Sequence, residues 1–272
     1  MQIKSSPRIN YNNNPLVEVL CQVRFDRILS LQTAAPEKFQ EAVAERYPSL
    51  NVEQLASFQL LLGPGGVKQA EQPGTTSIPA IYHFTSVDMK RRVSITADSL
   101  TFSCAKYDTW EAFSGEFFET LELFSSLYPK TALRRVGLRY KDLIEREALG
   151  LAAVPWSELL ANFLAGPLAA DNLFSSLLGV EDEARIDHAA QSTFRLEACD
   201  VLLQGALMRS ADQPPTHAFL IDTDFFHDAQ TRPLARDVLP DVLKTLHETA
   251  DDFFQACIKP KLHDALSPTA RN

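Results

Sequence analysis

Short runs in which apolar and polar side chains alternate are the feature that most constrains what this chain can fold into. In LVEVLCQVRF, from Leu16 to Phe25, Val17, Val19, Cys21, Val23 and Phe25 point to one side. Glu18, Gln22 and Arg24 point to the other, with Leu20 among them. Successive side chains of a strand lie on opposite faces, so this pattern asks for one buried face and leaves the other polar. IPAIYHFTSV and HAFLIDTDFF read as strands, and so does RRVGLRYKDLI, with Val136, Leu138 and Tyr140 on one side. RRVSITADSLTFSCAKY reads as a hairpin with its turn near Ala97, Asp98 and Ser99, and STFRLEACDVLLQGALMRS as one long or two short strands. FQLLLG, from Phe58, reads as a strand stopped by the GPGG turn at Gly63 to Gly66, with a polar loop running on to about Ile78.

Between these runs the apolar spacing changes to that of a helix. Phe39, Val43 and Tyr47 recur at every fourth position after Pro36. Thr109 suits an N-cap, because its hydroxyl can accept from an orphan amide, and Trp110, Phe113, Phe117, Leu121 and Phe124 form the stripe that follows. VPWSELLANFLAGPL predicts a helix from Pro155 to Gly166-Pro167. A last long helix is expected from Asp237, with Leu239, Val242, Leu246, Ala250, Phe253 and Cys257 as its stripe and a frayed tail after Pro260.

The chain thus runs twice through strand, helix, several strands and long helix. An α+β fold is expected, with antiparallel sheets in two similar halves and long amphipathic helices on one sheet face. The halves are expected at residues 1–130 and 131–272, packed as one globular unit, and the repeat rests on element order alone.

Composition narrows the function. The formal net charge is −9 over 272 residues, which disfavours a duplex-DNA binder because displacing counterions needs a basic surface. No apolar run approaches the roughly 20 residues that span a bilayer. MQIKSSPRINYNNNP lacks the apolar core of a signal peptide, so no membrane role and a cytoplasmic location are expected. Cys21, Cys104, Cys199 and Cys257 are far apart and read as buried free thiols.

Three stretches carry a family resemblance. YNNNPLVEVLCQVRF resembles the N-terminal signature of a sporadically distributed bacterial family of uncharacterised function, with an Asn-Pro step, a hydrophobic-Val-Glu and a later Phe. RVGLRY, Arg135 to Tyr140, is similar to its second signature, and IDTDFF with the Phe-rich last helix to its third. The resemblance implies similar length and no assigned activity. The patchy distribution implies a defence, toxin–antitoxin or mobile-element context.

Familiar catalytic signatures are absent: no G-x-x-x-x-G-K-[ST], G-x-S-x-G, H-E-x-x-H or G-x-G-x-x-G occurs. Two constellations remain. Arg24, Arg135, Arg139 and Lys141, with Glu18 and Gln22, fall on the polar sides of two strands and predict a face that takes an anionic or peptide ligand through guanidinium forks. Cross-strand ion pairing, Glu18 with Arg24 or Arg139, is the plainer reading of the same residues. The other constellation is Asp222, Asp224 and His227, with Asp228 as a further metal ligand, in a metal-dependent nuclease or phosphoesterase. The leading expectation is a non-enzymatic recognition or adaptor protein without cofactor. It would bind a protein partner or a small ligand, with a homodimer through sheet edges and a single-stranded nucleic-acid groove as further readings.

Overall fold

The alternating runs form strands. The structure, a computed structural model, describes residues 2–54, 60–63, 66–69, 80–129, 132–169, 187–210, 216–232 and 234–270. In chain order the first elements are β1 (Ile9–Tyr11), β2 (Leu16–Phe25), α1 (Leu29–Thr33), α2 (Glu37–Val43), β3 (Ser49–Gln54), β4 (Leu60–Gly63) and β5 (Gly66–Gln69). Next come β6 (Ala80–Thr85), β7 (Arg91–Ile95), β8 (Ser99–Cys104) and α3 (Trp110–Leu127). β9 (Leu133–Glu145), α4 (Trp156–Leu159), α5 (Asn162–Ala165), a 3-10 turn (Gly166–Ala169), β10 (Ala189–Arg195), β11 (Asp200–Arg209) and β12 (His217–Asp228) follow. The described chain closes with α6 (Leu239–Cys257), α7 (Pro260–Ala265) and β13 (Pro268–Ala270).

The fold is α+β with antiparallel sheets, and the main sheet is hydrogen-bonded in the order β10-β11-β12-β9-β2-β8-β7-β6-β3. β1 pairs with β13 and β4 with β5 in two small antiparallel sheets. The chain divides into two compact units, Met1–Leu20 with Val136–Asn272, and Cys21–Arg135. The division therefore falls inside β2 and inside β9. At that second point the alternation slips: Leu133 and Val136 are both buried although three residues apart.

In the Cys21–Arg135 unit the registers align two apolar rows. Leu50, Phe84, Val93 and Phe102 form one, and Val52, Tyr82, Ile95 and Leu100 the other. Phe113, Phe117, Leu121 and Phe124 of α3 are buried beside them, with Phe102 and Phe113 ring centroids 5.2 Å apart. Phe39 of α2 reaches Phe84 at 5.4 Å. Thr109 caps α3, its hydroxyl accepting from the Ala112 amide at 3.2 Å. The hairpin turn lies where it is expected, with the Thr96 amide donating to the Ser99 carbonyl at 3.0 Å.

In the other unit, Val136, Leu138, Tyr140 and Ile144 of β9, Phe219, Ile221 and Phe225 of β12, and Val201 and Leu203 of β11 are buried. So are Leu239, Leu243, Leu246, His247, Ala250, Phe253 and Cys257 of α6. The Tyr140 hydroxyl and His247 Nδ1 share a hydrogen bond of 2.8 Å.

Several expectations need correction. The helix over 155–167 is broken into α4 and α5, because Leu160 bridges to Ile258 while the Ala161 amide donates to the Cys257 carbonyl and the Lys259 amide to that of Leu159, both at 2.8 Å. The segment after Pro260 is ordered as α7 and β13: Leu262 and Leu266 are fully buried, and Tyr11 meets His263 Nδ1 at 3.0 Å. The α6 helix starts at Leu239 rather than Asp237, and its buried stripe uses Leu243 and His247 where Val242 was expected. Gly66–Gln69, expected in a loop, pairs with β4 across Gly63 and Gly66. Phe58 and residues 70–78 of that expected loop lie outside the described residues. β3, with no buried residue, and the short α1 went unread. All four cysteines are free and buried.

Candidate binding face

The polar sides of the strands in the Met1–Leu20 and Val136–Asn272 unit carry a linked set of side chains. On β9, Arg139 and Lys141 alternate with buried Leu138, Tyr140 and Ile144, so both project from the face opposite the apolar core. On β12, Asp222 and Asp224 alternate with Ile221, Thr223 and Phe225 in the same way. Arg139 donates from Nε and from Nη2 to the two carboxylate oxygens of Asp222, each at 2.6 Å. This is the two-pronged geometry that a planar guanidinium makes best. Nη2 also reaches Gln204 Oε1 at 3.4 Å, and Gln204 Nε2 donates to Gln191 Oε1 at 3.0 Å. Gln204 lies directly between its two neighbours, opposite Gln191 on β10 and Asp222 on β12. A polar ladder thus crosses β10, β11, β12 and β9. On β2, Glu18 accepts from Lys141 Nζ at 2.7 Å.

Burial makes this ladder more than a surface ion pair. The Asp222 side chain is 7% exposed and that of Arg139 39%. The hydrogen bonds to Asp222, with the charges of Asp222, Asp224 and Glu18, hold the guanidinium proton above its ordinary value against the opposing effect of burial. Three carboxylates therefore stand with two cations, and the set is net acidic. The Arg139 fork, expected to take an anionic ligand, is already filled by Asp222. Of the expected cross-strand pairings, Glu18 accepts from Lys141, and its charge also acts on Arg139.

The remaining residues of that constellation belong to the Cys21–Arg135 unit. Arg24 Nε donates to Gln22 Oε1 at 3.1 Å, and Gln22 Nε2 to Thr101 Oγ1 at 2.9 Å. Arg135 is half-buried on β9, and its neighbour Arg134 grips Asp26 through Nε at 2.6 Å and Nη2 at 2.9 Å.

The acidic and histidine constellation is not brought together. Asp222 is committed to Arg139. His227 Nε2 donates to the Ala198 carbonyl at 2.6 Å, and burial holds its pKa below the usual imidazole value. Asp228 Oδ1 accepts from the Gln230 amide at 2.8 Å and closes the turn after β12. Among the described residues no three His, Cys, Asp or Glu side chains form a group that could hold a metal ion.

Asp142 was missed. It lies on β9 in phase with Val136, Leu138, Tyr140 and Ile144, on the apolar side, and is 7% exposed. Burial, and then the Asp222 charge, push its carboxyl up to about 7. Its phase in RRVGLRYKDLI is the signal that marks it: the only polar side chain in an apolar set. Gln204 is marked in the same way on the other side, as a lone amide in VLLQGALM.

No family model matches the chain, and no curated protein matches it. Among the described residues no helix is long and apolar enough to cross a membrane.

Proposed function

We propose that the chain is a non-enzymatic recognition protein that binds a protein partner on the polar face around Arg139 and Asp222. The observation that carries the reading is the ladder from Gln191 through Gln204 and Asp222 to Arg139, with Lys141 and Glu18 beside it. A cross-linked polar face costs little further side-chain entropy when a partner docks on it. Its excess of carboxylate over cation suits a partner that presents lysine or arginine, and the overall net charge of −9 would steer such a partner in. A cytoplasmic setting, membership of the sporadically distributed family and a defence or toxin–antitoxin context belong to the same proposal, on the strength of the motif resemblance. The hydrolase reading is not carried forward, because among the described residues no three His, Cys, Asp or Glu side chains form a group that could hold a metal ion.

The test is affinity capture of the tagged full chain from its own cells, native against Asp224→Lys, with circular dichroism as the check on fold. A stoichiometric protein retained by the native chain, lost from the variant and released by salt supports the reading. The same protein retained equally by both removes this face from the function.

A further inference from the structure

The two apolar rows of the Cys21–Arg135 unit do not end where their cover ends. Phe84, Val93 and Phe102 are buried, as are Ile95 and Leu100, but the rows run on into β3, where Leu50 is 42% and Val52 45% exposed. Among the described residues β3 is the last strand in the sheet order, paired with β6 along all six of its residues, and every one of those residues is exposed. Ser49, Leu50, Asn51, Val52, Glu53 and Gln54 include no lysine and no proline, and the single charge, Glu53, lies on the polar face beside His83.

We propose that two copies of this chain pair β3 to β3, antiparallel, about a two-fold axis at Asn51. In that register Leu50 lies opposite Val52 of the second copy, and Val52 opposite Leu50. Each apolar row then continues without a break, from Phe102, Val93, Phe84 and Leu50 into Val52, Tyr82, Ile95 and Leu100 of the second copy. The other face matches as well. Asn51 extends the polar row of Thr101, Ser94 and His83 and meets itself across the axis, where two amides can exchange hydrogen bonds. Ser49 lies opposite Glu53, the one charged residue of the strand, so no like charges meet. Such a contact is isologous and closes at two copies, which an edge open to any extended chain would not. It is independent of the partner face around Arg139.

Two measurements on the full chain test this. Light scattering after size exclusion, over a concentration series, should give a dimer for the native protein. The pair Leu50→Lys and Val52→Lys, which sets like charges opposite each other, should give a monomer with unchanged circular dichroism. Asn51→Cys fixes the register independently. Residues directly opposite in an antiparallel pair have Cα atoms about 4.5–5.5 Å apart, within disulfide reach. The four native cysteines are buried. Oxidation should therefore convert Asn51→Cys to a covalent dimer, while Gln54→Cys, away from the axis, stays uncrosslinked. A native monomer overturns the proposal. So does a dimer in which Asn51→Cys fails to cross-link, since that dimer uses another surface.

Discussion

Arg139 and Asp222 face each other across the polar side of the sheet with both prongs of the guanidinium on both carboxylate oxygens, at 2.6 Å each. The arginine is part-exposed and the aspartate almost fully buried. Removing one partner therefore matters more than removing both. Arg139→Ala leaves Asp222 buried without its counter-charge and should cost about 2 kcal/mol of stability, within the range for hydrogen bonds to a charged group. Arg139→Met combined with Asp222→Leu should recover most of that loss. Urea denaturation of the two variants, with their m-values compared, checks this. A double variant no more stable than Arg139→Ala would contradict it.

Asp142 makes stability fall as pH rises through the mildly acidic range. Its folded-state pKa of about 7 lies above the ordinary aspartate value of 3.8, so the folded chain holds this proton more tightly than the unfolded chain. The favourable contribution is complete below about 4, declines between there and about 7, and is gone above. Asp142→Asn should flatten the profile of melting temperature against pH in that window and raise the melting temperature at pH 8. The carboxylate of Asp142 is also one of the influences that keep the neighbouring Cys257 thiol protonated, after burial itself. A profile unchanged by Asp142→Asn would show that this carboxyl titrates as an ordinary one.

The α7 segment is part of the core. Leu262 is fully buried, so Leu262→Ala should cost about 2–5 kcal/mol by lost transfer energy and the cavity left behind. Thermal or chemical denaturation reads the effect directly. A change within about 0.5 kcal/mol, as at an ordinary surface site, would mean that the tail frays after all.

Thr109→Ala removes the side-chain acceptor for the Ala112 amide at the start of α3. The expected loss is about 1 kcal/mol, and Thr109→Ser should retain most of it. Equal loss in both variants would assign the effect to the methyl group rather than to the cap.

Local periodicity marked the long elements. Phe113, Phe117, Leu121 and Phe124 mark α3 because side chains four apart share a helix face, and Val19, Cys21, Val23 and Phe25 mark the buried side of β2 because a strand repeats every two residues. Those periods also separate the polar face from the core, so Glu18, Arg139, Lys141 and Asp222 were legible as residues projecting from polar sides. Which of them meet was not. Partners such as Arg139 and Asp222 are 83 residues apart, and only strand order and register bring them together. The same non-local pairing defeated local reading elsewhere. The bridge from Leu160 to Ile258 breaks a segment whose spacing suits a helix, and the pairing of β1 with β13 orders the segment after Pro260. Propensity acts over a few residues, whereas a backbone hydrogen bond from a distant strand outweighs it once the fold has supplied the partner.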